Sequence, residues 1–111
     1  MGSDIDGEAA NDFSGRAVSL SSDGLTVAIG ANGNDAIGIS SGHVRVYKFE
    51  SVNSVWTKMG FDIDGEAAYD QSGYAVSLSS DGLTVAIGAY RNDGNGSNSG
   101  HVRVYKHRWP Q

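Results

Sequence analysis

Apolar and polar positions alternate along most of this chain, with a period of two. From Ser14 to Ser21, Val18 and Leu20 fall on one face and Ala17 and Ser19 on the other, which predicts a strand. Asp23-Gly24 follows, a two-residue hairpin signal because glycine supplies the positive φ such turns need. The return strand is predicted over Leu25 to Ala31, with Leu25, Val27 and Ile29 on one face and Thr26, Ala28 and Gly30 on the other. Neither face is strongly polar, so both are expected to be covered. Asn32 to Ser41, rich in Gly, Asn, Asp and Ser, predicts a loop. A third strand is predicted over Gly42 to Phe49, a turn over Glu50 to Ser54, and a fourth strand over Val55 to Ile63, anchored by Trp56. Nothing has helical spacing, and Glu66-Ala67-Ala68 is too short for a stable helix.

The pattern then starts again. Asp4 to Lys48 and Asp62 to Lys106 align without a gap at an offset of 58 residues, and 36 of their 45 positions are identical. One unit is four antiparallel strands in about 50–60 residues, the size of one propeller blade. The small face of a unit (Ala17, Ser19, Ala28, Gly30) suits the large face (Val18, Leu20, Val27, Ile29) of the next, so the units are expected to stack. The predicted fold class is all-β: two four-stranded antiparallel blades of a β-propeller, completed by head-to-tail oligomerisation. The first repeat covers about 4–61 and the second about 62–111.

Composition narrows the partners. A net charge of −5 and a pI near 4.9 oppose nucleic acid and anionic membrane surfaces. There is no cysteine, hence no disulfide framework and no thiolate metal site. No apolar run approaches the about 20 residues of a membrane span, and no signal peptide is recognisable in the chain.

The pattern D-x-SG-x-AVSLSSDGLTVAIGA…SGHVRVYK resembles the FG-GAP repeats of integrin-α-like β-propellers over nearly the whole chain. The resemblance implies a propeller fold, usually extracellular, used for binding or as a scaffold. It also implies a calcium loop between the first two strands, but that place holds Ser21-Ser22-Asp23-Gly24 and Ser79-Ser80-Asp81-Gly82. One carboxylate cannot supply the about six to eight oxygens calcium prefers, so the role is not carried over. The FG pair is replaced too, by Phe13-Ser14-Gly15 and Gln71-Ser72-Gly73.

The two ends of the sequence, read as one run, spell W-P-Q-M-G-S-D-I-D-G, in register with W-T-K-M-G-F-D-I-D-G from Trp56 to Gly65. Met1, Gly2, Ser3, Trp109, Pro110 and Gln111 are therefore assigned to assembly, with residues 1–6 of one copy completing the outer strand of another. Rotation that closes gives a ring and rotation that does not gives a filament. Two blades per copy make three copies, hence six blades, the favoured ring, with four copies or a filament as alternatives. A two-blade fragment or engineered unit of a larger propeller fits the same pattern.

No catalytic residue is assigned. His43, Arg45 and Tyr47 recur as His101, Arg103 and Tyr105, and residues present in both copies serve the framework. No cofactor is assigned either. Should calcium bind, the candidates are Asp4, Asp6, Glu8 and Asp12 with their repeats Asp62, Asp64, Glu66 and Asp70; turn capping by the same side chains is the competing reading. The copies differ most in the loop after the second strand, where Tyr90, Arg91, Asn92 and Asp93 are candidate ligand-binding residues. Asn95-Gly96-Ser97 fits a glycosylation acceptor, and Trp56 and Trp109 read as outer-strand packing. The sequence thus predicts a non-enzymatic, self-assembling scaffold or interaction module, with a calcium- or carbohydrate-binding, lectin-like propeller as the alternative.

Overall fold

The computed structural model of the chain describes residues 1, 2, 4–35, 38–89 and 100–106, apart from the side chain of Phe61. Seven strands occur there: β1 (Ser14–Leu20), β2 (Thr26–Ala31), β3 (His43–Glu50), β4 (Val55–Asp64), β5 (Ala75–Leu78), β6 (Thr84–Ala89) and β7 (His101–Lys106). They form two antiparallel meanders, a four-stranded sheet β1-β2-β3-β4 and a three-stranded sheet β5-β6-β7. Equivalent strands pair in the same register: Val27 faces Leu20 and Tyr47, and Val85 faces Leu78 and Tyr105. Among the described residues no helix is long and apolar enough to cross a membrane.

The first hairpin is longer than the two-residue turn predicted from Asp-Gly. Four residues, Ser22 to Leu25, lie between Ser21 and Thr26, whose backbones close the loop through Ser21 N–H donating to the Thr26 carbonyl (2.9 Å). The serine hydroxyl explains the difference. Ser21 Oγ donates to Asp23 Oδ1 (2.8 Å) and accepts from Thr26 N–H (3.1 Å), while Leu25 N–H donates to the same Asp23 oxygen (2.9 Å). Ser79, Asp81, Leu83 and Thr84 repeat these bonds in the second copy. Both aspartates are thus bound to their own turn, which holds their carboxyls below the usual range, chiefly through Leu25 N–H for Asp23 and the Ser79 hydroxyl for Asp81.

The two sheets pack face to face as the side-chain sizes dictate. Ala28, Val44 and Val46 of the first sheet meet Leu78, Val85 and Ile87 of the second, with Ile63, Val76 and Tyr105 at the margin. This is the small face of one unit on the large face of the next. Each buried Val, Leu or Ile contributes about 1.5–3 kcal/mol. Polar bonds set the register between the sheets. Ser19 Oγ accepts from Leu78 N–H (2.9 Å), Ser22 N–H donates to the Ser80 carbonyl (3.0 Å), and Arg16 donates to the Tyr74 hydroxyl (2.6 Å). The backbones come close at Gly30, where a Cβ would overlap the carbonyl oxygen of Gly73.

The segment joining the sheets is pinned at the loop end of the first. Tyr69, Gln71 and Ser72 donate backbone N–H groups to Ile39, Ser40 and Ser41, and Gly42 forms a parallel bridge with Ser72. These bonds fix the rotation from one sheet to the next.

Candidate functional site

The most densely bonded polar group lies at Arg45, on the large face of the first sheet. A register shift between Val44 and Val46 moves their β4 partners from Ile63 to Met59, so β4 bulges opposite Arg45. Gly60, at φ +70°, sits in that bulge, where a left-handed conformation suits glycine. The bulge turns Asp62 towards the guanidinium, whose Nε and Nη2 donate to its two oxygens at 2.8 and 3.0 Å. Arg45 Nη2 also donates to Glu8 Oε2, and Lys58 Nζ donates to Asp62 Oδ1 at 2.8 Å. The Arg45 guanidinium, aided by Lys58 and opposed by burial, holds the Asp62 carboxyl down at about 2. Asp62 in turn raises Arg45 above its ordinary value. His43, almost fully buried beside this group, has its pKa lowered by burial and then by the Arg45 charge. Its Nδ1 lies 3.9 Å from Asp62 Oδ2, beyond hydrogen-bond reach.

Glu8, His43 and Asp62 bring their ligand-type atoms within 4.8 Å of one another, close enough to surround a cation. Arg45 already supplies positive charge there and binds both oxygens of Asp62 and one of Glu8. The remaining acidic candidates do other things. Asp12 is buried and accepts from Asn34 Nδ2 (3.0 Å), which also donates to Glu8. Asp70 is buried and accepts from Ala67 N–H (3.2 Å), capping its turn. Asp64 pairs in the ladder with His43, Glu66 lies 3.7 Å from His101 Nδ1, and Asp4 and Asp6 are exposed. The eight carboxylates therefore do not converge on one point. Sequence reasoning gave Arg45 a framework role but missed it as a hub, because the bulge that aims Asp62 at it carries only the signal of Gly60.

Two apolar faces lie open at the ends of the stack. On the second sheet a groove of about 200 Å³ is lined by Ala75, Val76, Ser77, Ala86, Gly88 and Val102. Val102 and Val104 are 68% and 65% exposed, whereas their repeats Val44 and Val46, inside the stack, are 0% and 1%. On the first sheet Leu20 is 56% exposed, and its repeat Leu78 is 9%. Residues 5–8 lie across the upper part of that face, against Ile29, His43, Arg45 and Tyr47. Lower down, Trp56 Nε1 donates to the Met1 carbonyl (3.2 Å), and Gly2 lies beside Phe49 and Trp56. Of the residues assigned to assembly, Ser3, Trp109, Pro110 and Gln111 lie outside the described residues, as do Tyr90, Arg91, Asn92 and Asp93.

Two antiparallel meanders stacked face to face, the small face of one on the large face of the next, are blades of a β-propeller-like fold. Residues 63–105 match the family model of the FG-GAP repeat, so this stretch of the chain is an FG-GAP repeat. The match begins at the end of β4 and covers β5, β6 and β7. No protein among curated sequences matches the chain.

Proposed function

We propose that the chain is a non-enzymatic interaction module that assembles with copies of itself, head to tail, into a larger β-propeller-like scaffold. The observation that carries this reading is the pair of open faces. The face exposed on the second sheet repeats the one that the first sheet buries, and the face exposed on the first repeats the one that the second buries. Seating one copy on another would recreate the internal interface with nearly the same residues. Left wet, such faces are association-prone. Among the described residues no strand pairs with the outer edge of β7, which favours the same outcome, since an open edge strand is a template for pairing. Residues 1–6, which repeat Met59 to Asp64 in all but Ser3 for Phe61, are the strand that would pair with it. The extracellular setting usual for FG-GAP repeats suits such a scaffold.

Light scattering on the 111-residue chain tests the reading. A mass that is a multiple of 11.6 kDa is expected. A monomer of 11.6 kDa at tens of micromolar overturns it.

A further inference from the structure

We propose that Arg103 of one copy is held by Asp4 of the next, reproducing between chains the Arg45–Asp62 pair found within one. The inference rests on the head-to-tail reading and adds the charged contact that fixes its register. The repeat relates the four residues directly, because Asp4 and Arg103 stand at the 58-residue offset from Asp62 and Arg45 respectively. What differs is who supplies the carboxylate. For Arg45 it comes from β4 of the same sheet. The sheet that carries Arg103 has no fourth strand among the described residues.

Arg103 is placed for such a partner. Its backbone pairs with Ile87 as that of Arg45 pairs with Ile29. Among the described residues its guanidinium reaches the Asp64 carbonyl at 3.4 Å and stands 5.1 Å from the Tyr105 ring, with no carboxylate in ion-pair range. The second acid of the cluster is nearby, since Glu66, which repeats Glu8, lies 3.7 Å from His101. Among the described residues, the Arg103 site thus has its histidine, its arginine and one acid, without a counterpart of Asp62.

The N-terminal segment shares one backbone feature with β4. Gly2 has φ +70°, the value of its repeat Gly60 in the bulge that aims Asp62 at Arg45. Residues 5–8 lie on the large face of the first sheet, where Ile63 to Glu66 lie relative to the second. Asp4 is exposed and belongs to none of the seven strands. Seating the first sheet of one copy on the second sheet of another therefore brings residues 1–6 alongside β7, with Asp4 opposite Arg103.

Charge reversal tests this. Asp4→Lys or Arg103→Glu alone places like charges together and is expected to weaken assembly about tenfold or more, because like-charged groups at an interface repel. The double variant Asp4→Lys/Arg103→Glu restores opposite charges and is expected to assemble like the wild type, which also shows that both substitutions leave the fold intact. Association constants come from sedimentation velocity at low ionic strength. Single variants that assemble like the wild type, or a double variant no better than the singles, overturn the pairing. A wild-type chain that is monomeric overturns the assembly itself, so the two failures are distinguishable.

Discussion

At the scale of single residues, His43 and Asp62 both favour loss of their proton in the folded chain, at different pH. Burial lowers the pKa of His43 from its ordinary 6.5, so the unfolded chain binds its proton more readily than the folded one. Stability is then full above about pH 6.5 and falls as the pH drops through it. Asp62 is depressed from 3.8 to about 2, so its contribution is full above pH 3.8 and is lost between there and about pH 2. Urea melts against pH are expected to show two separate declines, with His43→Gln removing the upper one and Asp62→Asn the lower. Asp62→Asn also costs about 1 kcal/mol at pH 7, because Arg45 loses a charged hydrogen-bond partner. Unchanged pH profiles in both variants would show that the cluster does not set acid stability. Gly30 governs a different quantity, the distance between sheets. A Cβ there would strike the Gly73 backbone, which cannot move aside as a flexible side chain would, so Gly30→Ala is expected to cost about 3 kcal/mol in chemical denaturation.

At the scale of strands and sheets, the comparison of equivalent positions is most telling where the repeat is broken by exposure. Gly88 repeats Gly30, yet among the described residues a Cβ on Gly88 meets nothing nearer than Ala75 at 3.6 Å. Gly15 repeats Gly73 and keeps its φ, +89° against +91°, with nothing within 4 Å of its Cβ position. If copies stack, Gly15 of one meets Gly88 of another. Gly88→Ala is therefore expected to leave the isolated chain as stable or up to about 1 kcal/mol more so, since glycine is unfavourable inside a strand. The same substitution blocks association. A Gly88→Ala chain that keeps the wild-type mass in light scattering would contradict this stacking. Much of this was legible in the sequence. Strict alternation from Ala17 to Leu20 and from Leu25 to Gly30 separates small from large residues, and size decides which face seats which. The bulge in β4 was not legible, because alternation presumes one residue per rung and Gly60 breaks that count. Hence Arg45, Asp62 and Glu8 read as framework and candidate calcium ligand rather than as one bonded group. The hairpin length was misjudged because the Ser21 hydroxyl, not Asp23-Gly24 alone, closes the loop.

At the scale of the whole molecule, a chain measuring 47 × 28 × 21 Å buries one inter-sheet interface and leaves two half-interfaces exposed. Its thermal midpoint should therefore rise with concentration if assembly covers those faces, because mass action stabilises whatever binds only the folded state. The number of copies follows from parity. In a mixture of Asp4→Lys and Arg103→Glu chains, an Asp4→Lys chain offers a native Arg103 to the native Asp4 of its neighbour, and that neighbour offers Glu at 103 to Lys at 4. Alternating the two variants satisfies every junction in a ring of four copies. In a ring of three, which would give six blades within the about four to eight usual for propellers, strict alternation cannot close and one junction keeps like charges together. The equimolar mixture is thus expected to assemble less tightly than the double variant at the same total concentration, while exceeding either single variant alone. Equal affinity of mixture and double variant would instead indicate an even ring or an open filament. Sedimentation equilibrium separates those two, since a ring gives one limiting mass and a filament gives a mass that keeps rising with concentration.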